Sequence, residues 1–274
     1  EAGGRLVGHM GRMPTWFFVE GQRHLATFAH DLFVHPEVVA SGQGFFATMR
    51  LYKAVEGASR SFVGMCWTND IKLRPLARVP GLEPAATLAG NTALRAVDTV
   101  LSLSRGRRRV LHLGSFDARF DSLAERIGPT MGIAPVKDAA YLRYKYEGRP
   151  GLETVTFAAE SAPGTLTGFV VLREVSGRRS VGTLLELSAN PDDVPTINAL
   201  LARAVRAYAE RGVGSMEAMA SDPRIRRHLE RWLFVRRGDK FPLFYANGSR
   251  YDRPRFLADV SHWHHVYGDS EGPY

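Results

Sequence analysis

Four groups of residues in this chain have types and spacings suited to chemistry. The first is Ser41-Gly42-Gln43-Gly44, set between the strand-like run ending at Phe33-Val34 and the helix-like run Phe45-Phe46-Ala47-Thr48-Met49-Arg50-Leu51. Glycines let a backbone approach a bound anion. The first amides of a helix have no intrahelical acceptor, so a strand, a glycine turn and a helix start together make a cradle for a phosphate. The same turn could equally hold no ligand. The second group is Asp31, which by strand alternation shares a face with Ala29 and Phe33. A carboxylate on an apolar face is costly unless it is paired. Asp31 is therefore either a working acid–base group or a partner for loop amides or an arginine. The third group is His24, His30 and His35, whose spacing mixes the two strand faces, so a shared metal is not expected. His30 and Asp31 point to opposite sides, which leaves His30 as a separate candidate base. The fourth is the tail His262, His264, His265 and Asp269 interleaved with Trp263 and Tyr267, either a packed terminus or a wall of an acceptor pocket. Cys66, alone on a strand, reads as a core residue.

The elements that would position these groups can be read from periodicity and punctuation. Arg5 to Met13, Thr15 to Glu20 and His24 to His35 read as successive antiparallel strands, with Gly21-Gln22 as the tight turn before the last. Gly44 to Ala58 carries Phe45, Met49, Tyr52 and Val55 at helical spacing. Ser61 to Trp67 is a buried-type strand. Pro84 to Ser104 reads as an amphipathic helix, with Arg105 to Arg109 at its end. Val110 to Phe116 reads as a strand and Ala118 to Ile127 as a helix. Glu153 to Glu160, Thr165 to Val175 and Ser180 to Ala189 form a three-stranded meander. Pro191-Asp192-Asp193 then opens a helix to about Arg211 whose face of Ile197, Leu200, Leu201, Ala204, Val205 and Tyr208 is core-like. Gly214 to Ala220 is a strand, and Asp222-Pro223 starts a helix to Trp232. Phe234 to Arg237 and Phe241 to Ala246 close the sheet. The order strands, helix, strand, helix occurs twice.

Composition sets the outer limits. The 274 residues suffice for one large or two ordinary domains, and 45% hydrophobic with 23% charged residues suits a globular protein. A single cysteine excludes an intramolecular disulfide and a cysteine-based zinc site, and suits a reducing, cytoplasmic setting. No apolar run reaches the ~18 residues of a spanning helix, and no signal peptide is visible. The net charge of +8 fits an anionic ligand such as a nucleotide, an acidic glycan, a membrane surface or RNA, and fits a plain excess of surface arginine equally well.

The passage Ala29-His30-Asp31-Leu32-Phe33-Val34-His35-Pro36-Glu37, with Gly42-Gln43-Gly44 behind it, resembles the acetyl-CoA site of the GNAT superfamily of N-acetyltransferases. The segment Trp67-Thr68-Asn69-Asp70 through Pro75-Leu76 and Gly81 is similar to that superfamily's entry into its last helix. The tail His262-Trp263-His264-His265-Val266-Tyr267-Gly268-Asp269-Ser270, and Tyr141 to Tyr146 with Pro150, resemble a group of tandem acetyltransferase-like proteins.

The resemblance implies an α+β architecture of two tandem acyltransferase folds, each a mixed, mostly antiparallel sheet flanked by helices. It implies a first domain over 1–82 with its cofactor loop at 38–45, a connecting helical segment over 83–138, and a second domain over 139–274 without a pyrophosphate loop. Such a domain ordinarily has a strand and two helices ahead of this point, so the first is expected to be incomplete at its N-terminus. The implied cofactor is acetyl-CoA (coenzyme A), held by Phe33, Val34, Val39, Ala40, Ser41, Gly42, Gln43, Gly44, Phe45 and Asn69. The superfamily loop has Arg or Gln where this chain has Val39 and Gly where it has Ala40, so the pyrophosphate would rest on backbone amides alone. The implied base is a carboxylate on a central strand, here Asp31, with His30 as the other choice. The superfamily's tyrosine acid has no counterpart, since no Tyr occurs from Thr68 to Gly81. In the second half, Ser188 to Asp193 has no Gly-x-Gly, and its carboxylates would repel a pyrophosphate.

Three functions remain open at this point. One is an N-acyltransferase acting on an amine, an amino sugar or a small amine. Another is a non-catalytic tandem binding or regulatory module. The last is an aminoacyl-tRNA-dependent transferase, to which the basic charge and Arg105 to Arg109 would suit RNA; DNA is not an expected partner.

Overall fold

The computed structural model describes residues 4–58, 63–67, 82–93, 108–174, 181–247, 256–257 and 259–269. β1 (Gly8–Val19) and β2 (Gln22–Val34) form a long antiparallel hairpin. Its turn residues, Glu20 and Gly21, both have positive φ (49° and 80°), the pairing that lets a two-residue turn match the twist of its strands. The turn therefore lies one residue earlier than Gly21-Gln22. The two strands expected over Arg5–Met13 and Thr15–Glu20 are one continuous β1. Pro14 does not break it, because the next neighbour, β6 (Ile133–Pro135), reaches only Phe17 to Val19 and leaves Pro14 at an edge.

After β2 come α1 (Pro36–Ala40), α2 (Gly44–Ala58), β3 (Val63–Trp67) and β4 (Leu82–Ala93). The helix expected from Pro84 to Ser104 is a strand over its described part. Long-range pairing overrides the helical preference of its alanines: β4 lies between β10 (Ser215–Ala220) and β11 (Val235–Asn247) and bonds to both. β5 (Arg109–Leu113), α3 (Ala118–Ile127), β6, and α4 (Ala139–Tyr146) follow. The second half then runs β7 (Thr154–Ala162), β8 (Thr165–Arg173), β9 (Val181–Ala189), α5 (Val194–Glu210), β10, α6 (Pro223–Arg231) and β11.

One eleven-stranded sheet results, in the order β5-β7-β8-β9-β10-β4-β11-β3-β2-β1-β6. The order β1-β2-α2-β3 recurs as β8-β9-α5-β10, and each half lends a strand to the other. β4 follows β3 in the chain yet pairs with β10. β11 follows β10 yet pairs with β3. Only two described neighbours in the sheet are parallel, β2 with β3 and β9 with β10.

Helices cover both faces of the second half. On one, α5 packs Ile197, Leu200, Leu201, Ala204, Val205 and Tyr208 onto Val170, Leu172 and Leu184. On the other, Phe120 and Leu123 of α3 and Leu142 and Tyr146 of α4 meet Phe169, Val171 and Leu185. Burial on this scale, at about 25 cal/mol per Å² of apolar surface, anchors the sheet. Each of these helices, and α6, starts at an aspartate whose carboxylate accepts a first-turn amide: Asp117, Asp138, Asp193 and Asp222. Among the described residues no helix is long and apolar enough to cross a membrane.

Candidate functional site

The parallel neighbours part company early. β2 bonds to β3 only at Thr27 and Phe28, and β9 bonds to β10 only from Val181 to Leu184. Past those points each pair opens a cleft. A bulge marks the opening strand in both halves. In the first, the single residue Met10 faces both Asp31 and Leu32. In the second, Leu185 is the extra residue, directly before Glu186. A bulge re-aims the side chains around it, so each half carries a carboxylate residue at the bulge of its opening strand. The backbones of His30 and Asp31 lie in β2; their side chains lie outside the described residues, as does that of Cys66 in β3, and Asn69 is outside them altogether.

In the first half, β2 leads straight into the glycine turn. The segment from residue 36 is not a plain loop. Pro36 at a first helical position, with His35 Nδ1 accepting the Glu37 amide at 3.3 Å, starts the short α1. The Val38 and Val39 amides bond to His35 O, the Ser41 amide to Glu37 O and the Gly42 amide to Val39 O at 3.1 Å. Ala40 is inside α1. Val39, Ala40, Ser41 and Gly42 thus shape the turn instead of offering it free amides. Gly42 has φ +78°, a left-handed conformation that suits glycine, and a Cβ there would meet nothing within 4 Å. The chain then enters α2, whose first bond runs from the Ala47 amide to Gln43 O at 2.9 Å. The amides of Gly44, Phe45 and Phe46 precede that bond. Of the stretch 38–45, the amides that lie outside these bonds are therefore those at the α2 N-terminus. Phe33, Val39, Phe45 and Phe46 around it are all exposed, so the helix end opens to solvent.

In the second half the equivalent positions are closed. Asp193 caps α5: its carboxylate accepts the Thr196 amide and hydroxyl, at 3.2 and 2.7 Å, and takes an ion contact from Arg108. The cleft between β9 and β10 is filled by the chain's own tail. Val266 bridges Ala220 of β10, the Ser221 amide donates to His265 O, and the turn Tyr267–Asp269 lies against β9 and β10 together. Glu186, fully buried, accepts from Tyr146 Oη at 2.7 Å and from Lys137 Nζ. Lys137 also reaches Asp269 at 3.1 Å. Burial raises the Glu186 pKa, with Lys137 opposing and Asp269 reinforcing it. Burial works against the charge on Lys137, yet the two carboxylates outweigh it and its pKa is raised. Asp269 is held low, since Lys137 and His265 outweigh its burial.

The tail residues singled out by sequence therefore form core, apart from the half-exposed His262. Trp263, His264, His265, Tyr267 and Asp269 are buried and do not line an open pocket. Lys137 and Glu186 were not singled out. The available signal was Glu186 itself, one charge inside the apolar run Leu184-Leu185-Glu186-Leu187, which implies a buried cation. A small cavity of about 10 Å³, room for about one water molecule, adjoins this cluster. Apart from Lys137 and Ser188 its walls are apolar, including Phe18, Leu123, Met131 and Phe169. Among the described residues no group of three His, Cys, Asp or Glu side chains could hold a metal ion.

No family model matches the chain, and no curated protein matches it by sequence. Solved structures do. A GCN5-related N-acetyltransferase from Kribbella flavida superposes with a TM-score of 0.63 at 18% identity, over 89% of this chain and 58% of that one. A conserved protein of unknown function from Enterococcus faecalis V583, described as a probable N-acyltransferase, gives 0.63 at 14% identity, over 87% and 58%. Saccharomyces cerevisiae N-myristoyltransferase with bound myristoyl-CoA gives 0.58 at 11% identity, over 89% and 68%. The chain thus spans little more than half the length of the first two. These likenesses establish the fold: a mixed, antiparallel-rich sheet flanked by helices, as in the GNAT superfamily.

Proposed function

We propose that this chain is an acyl-CoA-dependent N-acyltransferase whose working cleft lies in its first half. The observation that carries the reading is the end of α2. Its amides at Gly44, Phe45 and Phe46 precede the first helical bond, directly after the left-handed Gly42 and beside open space. Such a helix end suits a pyrophosphate, the anionic part of coenzyme A. The structural neighbours named as acyltransferases, one with myristoyl-CoA bound, support the acyl-CoA class. Acetyl-CoA is the donor we favour. Gln43, Gly44 and Phe45 would hold its pyrophosphate, with Val39, Ala40, Ser41 and Gly42 shaping the turn. Phe33 and Val34, at the end of β2, would flank the pantetheine arm, and Asn69 would complete the site.

The acceptor would be an amine, either an amino sugar or a small amine. Asp31, at the β2 bulge, would take the proton from its ammonium, with His30 as the other choice. The free amine nitrogen would form a bond to the thioester carbonyl carbon. The carbon–sulfur bond would break, and the proton that the nitrogen loses on becoming an amide would pass through water to the departing thiolate. The domain assignment in this reading is a first unit over 1–82, a connecting segment over 83–138 and a second unit over 139–274; the connecting segment is not simply helical, since β4, β5 and β6 join the sheet.

The test is release of free thiol from acetyl-CoA in the presence of a panel of primary amines. We expect release to depend on both partners, to fall at least about 100-fold in Asp31→Asn, the typical scale for loss of a general base, and to vanish in Gly42→Asp. Thiol release unchanged in both variants would refute the assignment. A non-catalytic binding module is the second reading. The engagement of the Val38, Val39, Ser41 and Gly42 amides within α1 and its turn favours it, since fewer donors remain for an anion. Coenzyme A binding without thiol release toward any amine would select it.

A further inference from the structure

The tail from Trp263 to Asp269 enters the second half as a foreign strand would. It meets β10 at a single bridge, Ala220 with Val266, and its other contacts come from separate elements. The His264 amide donates to Ile133 O at 2.8 Å, next to the bridge between Ile133 and Trp263. The His265 amide donates to Ser221 Oγ at 2.8 Å, while that hydroxyl donates to Trp263 O. Trp263 Nε1 donates back to Leu257 O. At the far end Asp269 accepts the Val266 amide at 3.0 Å and faces Lys137. Gly268 is pressed onto the cluster: a Cβ there would sit 1.9 Å from Tyr146 Oη and 2.5 Å from Glu186 Oε1.

The cleft that receives this segment is built without it. β9 and β10 separate past Leu184 and Ala218, and the bulge at Leu185 turns Glu186 toward Tyr146 and Lys137. Two buried carboxylates, one from the cleft and one from the tail, meet on one ammonium. Remove the ammonium and the two carboxylates are left without their cation in a dry site, the arrangement that buried ion clusters tolerate least. Relief would come from displacing the segment that carries Asp269, whose ladder contact with β10 is the single bridge at Val266.

We propose that residues 263–269 are a strap, an internal occupant of the cleft between β9 and β10, locked in place by Lys137 bridging Glu186 and Asp269. The strap takes the position a strand-like ligand would need and keeps the second half closed. The core that α5 builds on β7, β8 and β9 contains no residue of this segment, whereas Tyr267 packs with the core on the opposite face of the sheet. This inference does not depend on the first-half cofactor reading.

Hydrogen exchange on the full chain tests it, comparing wild type, Lys137→Met, and the neutral triple variant Lys137→Met/Glu186→Gln/Asp269→Asn. We expect Lys137→Met to speed exchange at the His264, His265, Val266 and Asp269 amides by about 100-fold or more, in line with breaking a buried pair from one side, while the α5 amides stay protected. The triple variant should restore most of that protection. Tail amides that stay protected in Lys137→Met would overturn the lock. Tail and α5 amides exposed together would overturn the strap, since the tail would then belong to the half's cooperative core. Failure of the triple variant to restore protection would overturn the role of the charges.

Discussion

The two clefts of this molecule start from the same plan and end in opposite states. In both, a strand leaves its parallel neighbour, carries a carboxylate residue at or beside a bulge beyond that point, and runs toward the start of a long helix. In the first half that helix begins at Gly42-Gln43-Gly44 with its early amides free of intrahelical bonds, amid exposed Phe45 and Phe46. In the second half the helix start is taken by Asp193, and the cleft is taken by Tyr267-Gly268-Asp269. The bulge carboxylate of the second half, Glu186, already has an amine, that of Lys137. The two halves differ in a few residues at the strand-to-helix corner: glycines in the first, and in the second an aspartate that supplies a negative charge to the helix start itself.

Substitutions in the two halves test this contrast directly. The largest effect is expected at Gly268. Gly268→Val would drive methyl groups into Tyr146 and Glu186, and overpacking of this kind costs about 3 kcal/mol; the urea midpoint should fall accordingly, and an unchanged midpoint would remove the tail from the buried cluster. Next is Gly42→Asp. A Cβ there meets no atom within 4 Å, and aspartate tolerates positive φ better than most residues, so stability should drop by about 1 kcal/mol or less. Acetyl-CoA affinity should drop at least about tenfold, a change of about 1.4 kcal/mol. Asp193→Ala should cost about 1 kcal/mol through loss of the α5 cap, measured by thermal or urea unfolding. It should leave cofactor binding untouched; a gain of a second binding equivalent would show that the cap alone kept the second half closed.

The smallest effect at neutral pH concerns His265. Burial drives its pKa well below the ordinary 6.5, with Asp269 opposing that shift and Lys137, Lys145 and His264 adding to it. Below 6.5 the unfolded chain takes up a proton that the folded chain refuses. The contribution is therefore intact above 6.5 and is lost as the pH falls below it. Melting temperature should decline on mild acidification, and His265→Gln should flatten that decline. Parallel curves for the two proteins would place His265 in a solvated site instead.

Local signals made much of this fold legible. Gly44 to Ala58 and Ala118 to Ile127 are helices with the expected limits, because caps and 3.6-residue periodicity act within one segment. The β7–β8–β9 meander and the helix capped at Asp193 were equally clear. β4 was not, because its alanines favour a helix and only partners more than a hundred residues away, β10 and β11, make it a strand. α1 was missed because five residues give no period to read; Pro36 and His35 decide it. At the sites the same division holds. Gly42 and Gly44 announce a tight turn by composition. Nothing near Lys137 announces Glu186, 49 residues on, or Asp269, 132 residues on.

The most direct test of the contrast is the stoichiometry of acetyl-CoA binding, measured by calorimetric titration of the full chain alongside Gly42→Asp. We predict a single equivalent per chain, lost in the variant. Two equivalents, one that survives Gly42→Asp, or no binding heat at millimolar ligand would contradict the account of an open first cleft and a closed second one.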